Sequence, residues 1–194
     1  MKQNLSGRLS TDYAGFAALV DVNTYRSFIS ENWEYSDLEN RLLEEMRRAT
    51  VIPWTTPAGQ IWIRVQTEAS RPLPVQMPPH FQRFKVTGPV VFSGHSGGLT
   101  NCAQFEDLTL PYCDDHDPKV SDILLDVPTG DYHARLDQMF PYDGIDQFAP
   151  RGCGRKEYLV TLTQFNDQAS TTHDIPFATR SEPATDGKAS PAIV

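Results

Sequence analysis

The stretch that decides the fold class is Gln60-Ile61-Trp62-Ile63-Arg64-Val65-Gln66. Its β-branched residues Ile61, Ile63 and Val65 recur at every second position, which places them on one face of a β-strand. Residues 157–165, Glu-Tyr-Leu-Val-Thr-Leu-Thr-Gln-Phe, alternate in the same manner far along the chain. We therefore expect a β-rich protein.

More β signals lie before and between these two stretches. Residues 15–22 predict a buried strand, with a short helix as the alternative. Residues 84–87 and 90–92 are short apolar runs separated by Gly88-Pro89, which marks a turn or a bulge. Fifteen prolines and twelve glycines in 194 residues favour many short strands and turns over long helices.

Residues 123–136 combine two strand signals around a turn. Ile123-Leu124-Leu125-Asp126-Val127 runs into Pro128-Thr129-Gly130-Asp131, and Tyr132-His133-Ala134-Arg135-Leu136 follows. Proline and glycine at this spacing are typical of a tight turn between strands. The pattern predicts a β-hairpin.

One helix is clear. Ser36-Asp37-Leu38-Glu39 has the S-x-x-E pattern of a capping box, in which each of the two end side chains accepts a hydrogen bond from the other residue's backbone amide. Apolar residues then recur at helical spacing, at Leu38, Leu42, Leu43 and Met46. These signals predict a helix over residues 37–49.

Together these features predict a mainly β (α+β) fold, a β-sandwich-like antiparallel domain with one amphipathic helix inserted near residues 37–49. Strands and helices do not alternate, which argues against a parallel α/β sheet. Residues 1–165 are expected to form a single globular β-rich domain. Residues 166–194 are rich in Ser, Thr, Ala, Asp and Pro without a period, so we expect a flexible or extended C-terminal tail.

The negative charge is concentrated in residues 101–149, which hold eleven acids against two bases and carry a formal −9. The whole chain carries −8, so the remaining residues are close to neutral. Such a concentration attracts cations and basic surfaces and repels the phosphates of nucleic acid. It favours a basic protein as partner and disfavours direct nucleic-acid binding.

We expect no targeting signal in this chain. Its first eight residues lack an apolar core and a cleavage-like site, and no apolar run reaches the roughly 18–20 residues that cross a bilayer.

The chain has an odd number of cysteines, without CxxC spacing: Cys102, Cys113 and Cys153. We interpret them as reduced thiols, with one bridge plus a free thiol as the alternative. These features predict a cytoplasmic protein that does not contact a membrane.

Gly94-His95-Ser96-Gly97-Gly98 matches the G-x-S-x-G pattern and follows the apolar run Val90-Val91-Phe92. In α/β-hydrolases this pattern exposes a nucleophilic serine on a strained turn between strand and helix. The preceding chain lacks the repeated strand–helix units of such a sheet. The Ser-Asp-His order of a catalytic triad could be met by Ser96, any of several aspartates, and His133 or His173. Because aspartates are so numerous, this match carries almost no information. We predict a Gly/Ser loop, with a small serine hydrolase using Ser96 as the alternative function.

The densest group of possible metal ligands is Cys113-Asp114-Asp115-His116-Asp117. It lacks the glycine and the bidentate acid at position 12 of an EF-hand loop, and Cys113 with His116 has no second pair at zinc-site spacing. We expect a solvated acidic turn that holds no metal, and we predict no other cofactor.

Aromatic residues are interleaved with the acids, a mixture that protein interfaces favour because rings supply desolvated contact area and charges steer the encounter. The competing interpretation is that the rings belong to the core and the acids only keep the chain soluble. The predicted partner-binding residues are Tyr112, Asp114, Asp115, Asp117, Asp131, Tyr132, Tyr142, Asp143 and Asp146.

The hairpin region also resembles a known group of proteins. It is similar to the V-P-x-G-x-Y-x-x-R hairpin of small bacterial β-proteins, with matches at Val127, Pro128, Gly130, Tyr132 and Arg135. These proteins include competence-type nuclease inhibitors and polymorphic-toxin immunity proteins. The resemblance implies a cytoplasmic β-domain that neutralises a toxic enzyme, often a nuclease, by occlusion. It transfers no inhibitory residue. Our leading prediction is a non-enzymatic bacterial immunity or inhibitor protein that binds a basic toxin, a nuclease, through an acidic, aromatic-containing face.

Overall fold

The computed structural model describes residues 4–11, 15–26, 32–56, 59–67, 79–100, 105, 123–139, 157–164 and 175–176. The mainly β (α+β) fold predicted from the sequence is confirmed in these residues. In chain order the elements are β1 (Asn4–Thr11), β2 (Phe16–Asp21), α1 (Tyr35–Arg47), β3 (Val51–Thr55), β4 (Gly59–Thr67), β5 (His80–Val86), β6 (Val90–Ser93), α2 (Ser96–Thr100), β7 (Ile123–Leu125), β8 (Gly130–Gln138) and β9 (Glu157–Gln164).

The strands form two sheets. The five-stranded sheet has the order β1-β4-β9-β8-β5, and the four-stranded sheet has the order β3-β2-β6-β7. The described strand pairs are antiparallel, with one departure from the all-antiparallel expectation: β4 and β9 run parallel, in the register Ile63↔Tyr158 and Val65↔Val160. Parallel neighbours need a long crossover connection. Here the chain between β4 and β9 includes four other strands, so that requirement is met.

The larger hydrophobic core lies between the two sheets. Leu19, Trp54 and Phe92 from the four-stranded sheet belong to one cluster with inward residues of the five-stranded sheet such as Ile63 and Tyr158. The Trp54 ring meets Phe92 edge-on, with centroids 5.9 Å apart, and lies 5.7 Å from the Tyr158 ring. Alternation along the strands sends every second residue into this core, which gives the sandwich.

The four-stranded sheet is covered on its other face as well, because α1 packs there. Leu38 and Leu42 of the helix are fully buried in one cluster with Phe16, Ala18 and Val20 of β2. A strand that is buried on both faces appears in the sequence as a continuous apolar run. This explains why residues 15–22 were compatible with either a strand or a short helix.

The observed helix, Tyr35–Arg47, starts before the predicted one and is capped differently. Its N-cap is Glu34, and the carboxylate of Asp37 accepts a hydrogen bond from the Glu34 amide at 2.9 Å. The predicted box of Ser36 and Glu39 is therefore wrong. Glu34 and Asp37 have the same three-residue spacing and also carry acceptors, so they form the capping box two residues earlier in the chain.

Two short turns carry the chain from one sheet to the other. Gly88-Pro89 lies between β5 and β6, and residues 126–129 lie between β7 and β8. The predicted hairpin over residues 123–136 is wrong in its pairing, because β7 pairs with β6 whereas β8 pairs with β5 and β9. Alternation specifies which side chains are buried, but it does not specify the neighbouring strand. Both strands were predicted, and the crossing between sheets was not.

The sequence did not predict β1 or β3. β1 is rich in small and polar residues, and its Gly7 fits because a Cβ there would lie 2.5 Å from Cδ1 of Ile123. β3 contains Pro53, a residue that argues against a central strand. Because β3 is the edge of the four-stranded sheet, the missing N–H costs no bond to a neighbouring strand.

Ile175 and Pro176 are packed against this fold, although they lie within residues 166–194. Ile175 is buried in the cluster between α1 and the four-stranded sheet. The carbonyl oxygen of Pro176 accepts a hydrogen bond from the Thr55 amide at 3.0 Å. The rest of the predicted tail lies outside the described residues.

Candidate partner-binding site

Two of the nine predicted partner-binding residues, Asp131 and Tyr132, lie in the described structure, near the start of β8. The other seven lie outside the described residues, and they fall into two stretches. Residues 106–122, here termed the first acidic segment, contain Tyr112, Asp114, Asp115 and Asp117, and residues 140–149, the second acidic segment, contain Tyr142, Asp143 and Asp146.

The two acidic segments join the fold at the same level of the sandwich. The first is followed directly by Ile123, the first residue of β7, which packs against Gly7 of β1. The register then runs across the five-stranded sheet from Gly7 to Ile63, on to Tyr158 and finally to Gln138 at the end of β8. The second acidic segment begins just beyond Gln138. Three strand spacings, about 14 Å, separate Gly7 from Gln138 across the sheet.

Tyr132 supports the turn that precedes β8. Its hydroxyl donates a hydrogen bond to the carbonyl oxygen of Pro128 at 2.7 Å, and its ring is 5% exposed. Burial raises the pKa of Tyr132 above its ordinary value, because the phenolate would lose its hydration. Asp131, beside it, is exposed. Of this predicted pair, Asp131 is accessible to a partner and Tyr132 holds the backbone in place.

The outward side of β5 and β8 carries an aromatic and ionic cluster that sequence analysis missed. The rings of Phe81 and His133 stack with centroids 5.2 Å apart at an angle of 19°. The Arg135 guanidinium, 6.0 Å from the Phe81 centroid, donates hydrogen bonds of 2.8–3.0 Å to both carboxylate oxygens of Asp137. The alternation of β8 places these residues on one face, but only the register Phe81↔Arg135 brings in the second strand.

The described part of the fold is close to neutral, with nine Lys and Arg residues against ten Asp and Glu residues. On the outward side of the five-stranded sheet the exposed charges include bases, namely Arg8, Arg64, Arg83 and Lys85. Arg8 lies over the Trp62 ring, 4.7 Å from its centroid. The predicted acidic face therefore rests on the two acidic segments, not on the sheet surface.

Ser96 opens α2 directly after β6, so the G-x-S-x-G pattern does lie between a strand and a helix. Gly94 is sterically required, since a Cβ there would lie 2.2 Å from the carbonyl oxygen of Ser10. Ser96 lacks the strained backbone of a nucleophile elbow, because Ala49 is the one non-glycine residue with a positive φ in the described chain. Gly94 is therefore explained by close packing against β1, without a catalytic role for Ser96.

His133, one of the two histidines considered as a catalytic base, does not lie beside Ser96. His133 faces outward from the five-stranded sheet, whereas Ser96 follows a strand of the other sheet, so the two lie on opposite sides of the five-stranded sheet. Nε2 of His95 is buried and makes no hydrogen bond in the described structure. His173 lies outside the described residues.

Within the described residues, no group of three or more His, Cys, Asp or Glu side chains could hold a metal ion. The predicted metal-free turn at residues 113–117 and all three cysteines lie outside them. None of the helices in the described part of the chain is long and apolar enough to cross a membrane.

Comparison with known proteins gives a likeness in chain path but none in sequence. No protein-family model and no curated protein matches the sequence. ComJ from Bacillus subtilis, an inhibitor of the DNA-degrading activity of NucA, aligns at 10% identity over 85% of this chain and 99% of its own, with a TM-score of 0.49. The structure described as crocagin biosynthetic gene J aligns at 12% identity over 86% of this chain and 98% of its own, also with a TM-score of 0.49. A likeness at this level transfers no residue and no activity.

Proposed function

We propose that this chain is a non-enzymatic inhibitor of the immunity type, which binds a basic nuclease in the bacterial cytoplasm and denies it access to nucleic acid. The observation that carries this function is the separation of charge. The two acidic segments carry a formal −7, eight acids against one base, whereas the described residues carry −1. ComJ acts on a nuclease in a comparable role, but its likeness to this chain is too loose to support the assignment.

The mechanism follows from what a nuclease must do. A cleft that binds phosphates is basic, so it attracts a dense group of carboxylates and accelerates their encounter. The first acidic segment rejoins the fold at Ile123, which packs against Gly7, and Gly7 lies about 14 Å from Gln138 across the five-stranded sheet. Both segments can therefore reach the same cleft while the sandwich blocks it by its bulk. The proposed phosphate mimics are Asp114, Asp115, Asp117, Asp143 and Asp146, with Tyr112 and Tyr142 as adjoining contacts. Asp131 lies seven residues before Gln138 on β8, about 23 Å away along the strand, so it is left out of this proposed surface.

The first test identifies the partner and its activity together. The tagged full-length chain is used to capture proteins from host lysate at about 50 mM salt, where screening is weak. The captured protein is then purified and assayed for DNA degradation with and without this chain. We expect degradation to stop at one equivalent of the chain. A captured partner that degrades DNA equally well in its presence would contradict the inhibitor role.

Matched variants then test the acidic segments. Asp114→Asn with Asp115→Asn removes two charges from the first acidic segment, and we expect the affinity for the captured nuclease to fall by about tenfold, or 1.4 kcal/mol. Glu39→Gln with Glu44→Gln removes two charges from α1, and we expect a change within about twofold. Equal losses in both variants would mean that only the net charge matters.

The alternative, a serine hydrolase, has one supporting feature, the position of Ser96 between β6 and α2. A hydrolase would react with a fluorophosphonate probe at Ser96, and the Ser96→Ala variant would lose that labelling. We expect no labelling of the native protein. Labelling that disappears in Ser96→Ala would favour the hydrolase over the inhibitor.

A further inference from the structure

Ile175 and Pro176 fasten a distant part of the chain to the edge of the four-stranded sheet. The Thr55 amide, at the end of β3, donates to the carbonyl oxygen of Pro176 at 3.0 Å, and the Thr55 hydroxyl reaches the same oxygen at 3.3 Å. Ile175 is 2% exposed, in the cluster beneath α1. These two residues are here termed the strap.

The strap binds β3 as an added strand would. Alternate residues of an edge strand direct their N–H groups away from the sheet, and Thr55 uses its outward N–H for Pro176. Pro53 occupies the preceding outward position and has no N–H. Backbone recognition is therefore centred on Thr55, and the side-chain site beside it takes an isoleucine.

We propose that the strap is detachable, and that the site beneath it is a binding site for an extended Ile-Pro segment that this chain fills with its own residues 175–176. An apolar side chain combined with a main-chain hydrogen bond is the recognition mode of strand addition to a sheet edge. The described contacts of the strap are the hydrogen bonds from Thr55 and the buried side chain of Ile175, which a short extended peptide can reproduce. Release of the strap would uncover apolar surface between α1 and β3. This device is independent of the inhibitor role.

The test supplies the strap in trans. The probe is a fluorescent peptide of residues 171–181, Thr-Thr-His-Asp-Ile-Pro-Phe-Ala-Thr-Arg-Ser, titrated into the full-length Ile175→Glu variant and followed by anisotropy. We expect saturable binding to this variant. The native chain should bind at least about tenfold more weakly, because its tethered strap competes at an effective concentration on the order of millimolar. A peptide with glutamate in place of the isoleucine should not bind.

Two further variants separate loss of the strap site from loss of folding. Ile175→Ala replaces Ile175→Glu if the latter shows no cooperative thermal transition, and failure of both to fold would show that the strap is not detachable. Thr55→Pro, in the Ile175→Ala chain, removes the outward N–H and should weaken peptide binding while the β2–β3 pairing persists. A folded Ile175 variant that ignores the peptide, or a native chain that binds it equally well, would overturn the proposal.

Discussion

The two sheets of this protein differ in what lies on their outward faces. α1 covers the outward face of the four-stranded sheet over β2, all of whose residues are buried, whereas Leu124 of β7 is 53% exposed. The five-stranded sheet presents charged side chains such as Arg83 and Lys85. The first sheet therefore contributes to stability on both of its faces. The second contributes mainly on its inward face: on its outward face Leu159, Thr161 and Asp137 are buried, but Arg83 and Lys85 are exposed. Substitutions at such exposed positions should therefore differ widely in effect from substitutions beneath α1.

The largest difference is expected between Leu42→Ala and Arg83→Ala. Leu42 is fully buried between α1 and the four-stranded sheet, so its truncation should cost about 2–5 kcal/mol of unfolding free energy. Arg83 is exposed on the five-stranded sheet, and its truncation should stay within about 0.5 kcal/mol. Urea denaturation followed by circular dichroism measures both. Similar losses would mean that the outward face of the five-stranded sheet is as sealed as the other.

A second contrast is between two buried aspartates. Asp21, at the end of β2, accepts hydrogen bonds from the Thr87 amide at 2.6 Å, the Thr87 hydroxyl at 2.8 Å and the Asn23 amide at 3.0 Å. Asp21→Ala should cost about 2–3 kcal/mol, because all three hydrogen bonds to its fully buried carboxylate are lost together.

Asp137 on the other sheet pairs with Arg135, whose side chain is 38% exposed and can turn to water. Asp137→Ala should therefore cost less than Asp21→Ala in the same urea titration. The opposite ranking would contradict the larger contribution of the Asp21 hydrogen bonds to stability.

Tyr132→Phe removes one hydroxyl from the turn before β8. The lost hydrogen bond to Pro128 should cost about 1 kcal/mol at neutral pH. Because the folded pKa of Tyr132 lies above its ordinary value of 10.0, the unfolded chain ionises first as the pH rises, and native stability is lost progressively above about pH 10. The difference between native and variant should shrink there. A pH-independent difference would show that burial does not disfavour the phenolate.

The smallest effect is expected at the turn between α1 and β3. Ala49 has a φ of 63°, a left-handed conformation that glycine adopts without steric cost. Ala49→Gly should raise the unfolding free energy by about 0.5–1 kcal/mol, measured as a higher urea midpoint with an unchanged slope. Ala134, in β8, does not have a positive φ, so Ala134→Gly should lower the unfolding free energy and serves as the control.

Local patterning was enough to predict most strands and the helix, because alternation and helical spacing follow directly from which side chains are buried. It failed where pairing matters. The Pro128–Gly130 turn has hairpin chemistry, yet the chain crosses to the other sheet, and β4 pairs with β9 in parallel. It also failed where a strand has small residues around Gly7 or a proline at Pro53, since their fit depends on contacts made by distant elements.

The candidate site was predictable in its charge but not in its geometry. The eleven acids of residues 101–149 are visible in the sequence. The common level at which the two acidic segments join the fold depends on the register between Gly7, Tyr158 and Gln138. The Phe81–His133 stack likewise requires the pairing of β5 with β8. Such relations between distant residues carry no local signal.

The most direct test of the central claim is the association rate between this chain and its captured nuclease as salt rises from about 50 to 300 mM, a range over which the Debye length falls by more than half. For the native chain we predict a fall of about tenfold or more, because the acidic segments steer the encounter. The triple variant Asp114→Asn, Asp115→Asn, Asp117→Asn should start slower and fall less. A rate that is independent of salt, or equal in the native chain and the triple variant, would contradict recognition through the acidic segments.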